Sequence, residues 1–118
     1  MIQANELRIG NYIQHEVKGL IVVNGIEPHC LDYSIRVLDG SWVYLKNCTK
    51  VPLTEERLLK FGFKKKLNDN KVSYNKHNII IHFVNGIFTE YVHQKQIKYV
   101  HKLQSLFFEI RGVELSGF

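Results

Sequence analysis

Val51-Pro52-Leu53-Thr54-Glu55-Glu56-Arg57-Leu58-Leu59-Lys60-Phe61-Gly62-Phe63 encodes a short helix together with both of its ends. Thr54 is the N-cap, its hydroxyl free to accept a first-turn N–H. Leu53 and Leu58 stand at the spacing of a hydrophobic staple, while Arg57 occupies the place where a capping box would need Glu or Gln. Glu55 and Glu56 put negative charge at the positive end of the helix dipole, and Lys60 puts positive charge near the other end. Gly62 supplies the left-handed residue that stops the helix, and Phe63 folds back towards Leu58. Pro52 keeps the preceding chain extended. These signals predict a helix of about two turns from Glu55 to Phe61.

Towards the N-terminus the chain reads as short strands. Asn11-Tyr12-Ile13-Gln14-His15 is entered through Ile9-Gly10. Lys18-Gly19 turns into Leu20 to Asn24, and Asn24-Gly25 reads as a further turn. Leu31 to Leu38 is a third strand. Asp39-Gly40 is a hairpin signal answered by Ser41-Trp42-Val43-Tyr44-Leu45. Strands this short, joined this tightly, predict a small curled sheet or an SH3-like barrel.

Towards the C-terminus, Phe63 to Leu67 and Lys71 to Tyr74 flank an Asn68-Asp69-Asn70 turn, and Asn75 to Asn78 reads as a loop. Ile79-Ile80-Ile81-His82-Phe83 is the most strand-prone run. Asn85-Gly86 turns it into Ile87 to His93. A helix is expected from Ile97 to Arg111, with Tyr99, Val100, Leu103, Leu106, Phe107 and Ile110 inside an arc of about 120°. Lys98, Lys102, Ser105 and Glu109 fall opposite, and Gly112 is the stop, letting Val113 pack on Phe108. The expected class is α+β: short antiparallel strands, a short central helix and a C-terminal amphipathic helix. Residues 1–118 read as one compact domain, with sub-lobes 1–53 and 54–118.

A chain of 118 residues with fourteen aromatics has bulk for a core. Charge is divided unevenly. Residues 1–53 carry five basic and five acidic side chains, so the whole net charge of +5 lies in residues 54–118. Such asymmetry suits a polyanionic partner. Met1-Ile2-Gln3-Ala4-Asn5-Glu6-Leu7-Arg8 lacks the form of a signal peptide, and no apolar run approaches the roughly 20 residues of a membrane span. A soluble protein of the bacterial cytoplasm is expected, with Cys30 and Cys48 as free thiols rather than a disulfide or zinc site.

No nucleophile elbow, HExxH or phosphate-cradling glycine loop is present. His82 reads as a structural histidine within an apolar strand, and His93 and His101 read as a solvated edge at the start of the last helix. The chain is therefore expected not to be an enzyme and to need no cofactor or metal. A small metal-independent nuclease is the least favoured alternative. Lys64-Lys65-Lys66 adjoins Lys71 across a turn, Lys76 and His77 follow, and Lys95, Lys98 and Lys102 lie on or before the last helix. Tyr74 and Tyr91 stand near these lysines and can stack on bases. These residues, Tyr91 apart, form the expected nucleic-acid-binding set. Trp42 reads first as a core residue and second, with Tyr44, as an anchor for a protein partner.

Three blocks, Asn5-Glu6-Leu7-Arg8-Ile9-Gly10-Asn11-Tyr12, the central stretch 51–63, and Ile97-Lys98-Tyr99-Val100-His101-Lys102-Leu103-Gln104-Ser105-Leu106-Phe107-Phe108 with Gly112-Val113-Glu114-Leu115, occur in that order. Together they resemble a family of small uncharacterised proteins carried by Bacteroidetes phages, prophages and mobile elements. The resemblance spans nearly the whole chain and implies no reaction and no catalytic residue. Lys64 to Lys66 lie outside the shared blocks. What the resemblance implies is a setting in which small basic proteins bind a host machine. The leading expectation is thus a binding protein for a nucleic acid or ribonucleoprotein, inhibiting a host RNA-guided nuclease in the manner of an anti-CRISPR. The alternative is a protein–protein adaptor acting through the neutral half.

Overall fold

The computed structural model describes residues 2–29, 32–69 and 71–115, so the expected Cys30 thiol lies outside the described residues. Two antiparallel five-stranded sheets and two helices make an α+β protein, elongated at 52 × 27 × 23 Å. The first sheet contains β1 (Tyr12–His15), β2 (Gly19–His29), β3 (Asp32–Val37), β4 (Trp42–Tyr44) and β5 (Cys48–Thr49), in the order β4-β3-β2-β1-β5. A 3-10 turn, Leu45–Asn47, delivers β5 back to β1.

Asn24-Gly25 is not a turn. It lies inside β2, whose first part pairs with β1 and whose second part pairs with β3. The register slips between Val23 and Gly25, leaving Asn24 as a bulged residue that bends the strand. Gly25 fits there because a Cβ would approach that of Arg36 to 3.3 Å. The bend wraps Ile13, Ile21, Val23, Ile35, Val37, Val43 and Leu45 around one core, closed by Ile2 and Leu7. Alternation along the strands supplies Ile13, Ile21, Val23, Ile35, Val37 and Val43, and Leu45 comes from the 3-10 turn.

α1 (Glu55–Lys60) forms with the ends its sequence specifies. Thr54 Oγ1 accepts the Arg57 N–H at 3.3 Å. Gly62 N–H donates to Leu59 O at 3.0 Å and Phe63 N–H to Leu58 O at 3.1 Å, the two bonds of a Schellman stop. Gly62 has φ +93°, a conformation that favours glycine. Leu53, Leu58 and Phe63 are buried in the second core.

The second sheet is a meander of β6 (Lys64–Asn68), β7 (Lys71–Lys76), β8 (Ile79–Val84), β9 (Ile87–Glu90) and β10 (Lys95–Gln96). The expected loop at Asn75 to Asn78 shrinks to two residues. Asn75 and Lys76 stay in β7, and His77 and Asn78 turn with φ +50° and +65°. That is the positive-φ pair of a type I′ turn, made without glycine. β9 also ends earlier than expected, because the Glu90 carboxylate accepts the N–H groups of Val92 and His93 and curls the chain.

α2 (Val100–Arg111) begins three residues after the expected start. The preceding chain stays extended because Leu53 N–H donates to Lys98 O and Val100 N–H to Val51 O, at 2.9 and 2.8 Å. Lys98 is therefore off the helix, which corrects its expected place on the polar side of α2 with Lys102. Gly112, with φ +70°, stops α2 as expected. Val100, Leu103, Leu106 and Phe107 are buried with Tyr74, Ile79, Ile81 and Phe88 of the second sheet. Tyr12 of β1 enters this same core, so the two halves meet around α2.

Candidate nucleic-acid interface

Directly opposed residues of a sheet share a face, and neighbours along a strand alternate. Lys65, Tyr74, Ile81 and Glu90 form one row, and the burial of Tyr74, Ile81 and Glu90 shows that it faces the helices. The opposite face carries the row Lys66, Ser73, His82, Thr89 and the row Lys64, Asn75, Ile80. Lys71 shares this face, being paired with Asn68. The His82 ring lies 4.9 Å from the ring of Tyr91, which is 51% exposed. Among the described residues, Lys64, Lys66 and Lys71 have no carboxylate partner. One open sheet face thus presents three unneutralised ammonium groups and an aromatic pair. His82 is half-buried on this face rather than inside the core.

The other expected residues fall elsewhere. Tyr74 is 2% exposed and cannot stack on a base, which corrects its expected role. Burial and the adjacent Glu55 carboxylate push its hydroxyl up to about 12. Lys65 points to the helix side and pairs with Glu55 at 2.6 Å. That hydrogen bond holds the Glu55 carboxyl below the usual range. Lys76 donates to Phe61 O at the end of α1, with its ammonium 5.9 Å from the Phe107 ring centre. It serves the helix stop on the helix side of the sheet, away from the face of Lys64, Lys66 and Lys71. His77 is exposed in the turn, its ring 5.8 Å from Phe107.

Lys95, Lys98 and Lys102 do not join the sheet lysines. β6 and β10 are opposite edges of the sheet, separated by four strand spacings, or about 19 Å. These three lysines line a groove of about 550 Å³ between the N-terminal turn, β10 and α2.

Trp42 and Tyr44 lie outside the first core, 47% and 44% exposed, which corrects the core reading of Trp42. Val43 between them takes the interior position. The indole lies over Gly25, where a Cβ would sit 4.0 Å from its Cη2. A cleft of about 380 Å³ runs beside both rings, lined also by Glu27, Pro28 and Ser34.

Burial of His101 corrects its expected place on a solvated edge, and Gln104 escaped the sequence reading. Both are fully buried, on the flank of α2 that faces the N-terminal segment. His101 Nε2 lies 3.0 Å from Glu6 Oε1, and Lys50 and Lys102 surround the same carboxylate. Burial raises the Glu6 pKa, but the bond from His101 and the two ammonium groups outweigh it and hold the carboxyl below its usual range. Burial pushes the His101 imidazole below its ordinary value despite Glu6. The signal available was position alone: 101 and 104 each follow a buried apolar residue, Val100 and Leu103.

Comparisons with family models, curated proteins and solved structures give no match.

Proposed function

We propose that this α+β protein is a non-enzymatic binder of nucleic acid, taking single-stranded RNA or the RNA of a ribonucleoprotein on the open face of its second sheet. The observation that carries this reading is the shared face of Lys64, Lys66 and Lys71 with the His82–Tyr91 pair. Lysines track phosphates as point charges, and an exposed ring stacks on any base. Lysine on β6 also guards an exposed edge against pairing with another chain.

The test is fluorescence anisotropy with a labelled single-stranded RNA across a salt series. Three phosphate contacts give a log–log slope of about −2. Tyr91→Ala weakens binding roughly tenfold. No binding at low salt overturns the reading.

The resemblance to small proteins of Bacteroidetes phages and mobile elements supplies a setting, in the host cytoplasm, where the bound particle is an RNA-guided nuclease. Loss of target cleavage by such a purified nuclease on adding this protein is the corresponding assay; undiminished cleavage counts against the setting alone.

A second reading follows from the exposure of Trp42 and Tyr44 beside the 380 Å³ cleft. The order β4-β3-β2-β1-β5, with a 3-10 turn before the returning strand, supports an SH3-like barrel for this half. Aromatic clefts on such barrels take extended peptides. A protein partner retained through nuclease treatment and high salt, and lost with Trp42→Ala, favours this adaptor reading.

A further inference from the structure

We infer that the groove between the N-terminal turn and α2 is a separate binding site for a small phosphate-bearing, hydroxyl-rich molecule of nucleotide size. Its volume of about 550 Å³ lies within the roughly 300–1,000 Å³ range of small-molecule sites. Its floor is one stripe of α2, with Lys102, Ser105, Leu106 and Glu109 spaced three and four residues apart. One wall is the extended segment 95–99, and the other is Asn5, Glu6 and Arg8.

The charges are arranged for an anion. Lys95 and Lys98 face the groove with no carboxylate partner among the described residues. Lys102 is only loosely held, 3.9 Å from Glu6 and half-exposed. Arg8 adds its positive charge to the same wall while held in place by Glu114 through Nη2 and by the Phe108 ring, 4.2 Å below the guanidinium.

The same lining argues for a compact ligand rather than a nucleic-acid strand. Glu6 and Glu109 stand on the same groove as the cations. A phosphate backbone laid along it would be repelled by both. A single phosphate among the lysines leaves the carboxylates to accept hydroxyl donors. Tyr99 and Leu106 give the apolar body a surface.

The test is an amide-resolved NMR titration of the whole chain with AMP, inorganic phosphate and adenosine. AMP is expected to shift the amides of residues 95–99, 102 and 105 saturably. Phosphate is expected to shift the same set more weakly, and adenosine is expected to leave them in place. Lys95 and Lys98 are exposed and make no ion pair among the described residues, so Lys95→Ala and Lys98→Ala are expected to fold, and each weakens AMP about tenfold. A Lys64→Glu/Lys66→Glu variant binds AMP as the parent does. Shifts that never saturate and spread over every lysine overturn the inference. So does unchanged AMP affinity in Lys98→Ala, or occupancy of this groove by an RNA strand in place of AMP.

Discussion

Gln104 Oε1 accepts the backbone N–H of Tyr12 at 2.9 Å, across 92 residues of chain. Its Nε2 donates to Gly10 O at 2.8 Å and to Leu115 O at 3.0 Å. One buried carboxamide therefore satisfies backbone groups of the first sheet, the chain before it and the tail after α2. Such groups are costly when orphaned.

Gln104→Leu should accordingly cost about 3 kcal/mol, since it strands a donor and two acceptors in a dry site. Gln104→Glu should cost as much at neutral pH and recover partly in acid, where the carboxyl can donate again. Urea unfolding followed at two pH values measures both.

The α1 ends give a graded set. Thr54→Ala should cost about 1 kcal/mol. Gly62→Ala should cost about 2 kcal/mol, because φ is +93° and the new Cβ would meet Lys76 Nζ at 3.1 Å. Lys76→Met should lower thermal stability by removing the donor to Phe61 O, while leaving RNA affinity within about twofold.

Stability should fall in acid in two stages. His101 has a lowered folded pKa, so the folded state binds fewer protons than the unfolded chain as pH drops below about 6.5. Its contribution is complete above that value and is lost as pH falls towards the folded pKa. Glu6 and Glu90 are also lowered, so their contributions are complete above about 4.5 and are lost below it. The melting temperature should therefore decline gently below pH 6.5 and steeply below 4.5. His101→Gln should remove the first decline and keep most of the second.

Cys48 should be inert in the native protein. It is buried, and burial, followed by the Asp32 and Glu16 carboxylates, raises its thiol to about 11. A thiol rather than a thiolate is poorly nucleophilic. In a Cys30→Ser background, iodoacetamide should modify Cys48 only after denaturant is added; rapid native labelling would contradict its burial.

Much of the architecture was legible because it is written locally. Thr54, Gly62 and Gly112 mark helix ends through their own backbone and side-chain chemistry, and Asn85-Gly86 marks a hairpin in the same way. What misled was local chemistry serving a distant partner. Asn24-Gly25 has the composition of a turn, yet β3 draws it into a bulged strand. His77-Asn78 makes a turn without glycine. The start of α2 is set by Val51 and Leu53, which hold Lys98 and Val100 in extended pairing. The site suffered most from strand parity. Lys64 and Lys66 share one face while Lys65 between them turns to Glu55, and of the two tyrosines read as able to stack on bases Tyr74 is buried and Tyr91 is exposed.

The carboxamide of Gln104 also sets an order of events in the cell. The first sheet leaves the ribosome before residue 104 has been translated, so the Tyr12 amide and ring emerge without the groups that cover them. The seam between the two halves therefore closes only after α2 has been made.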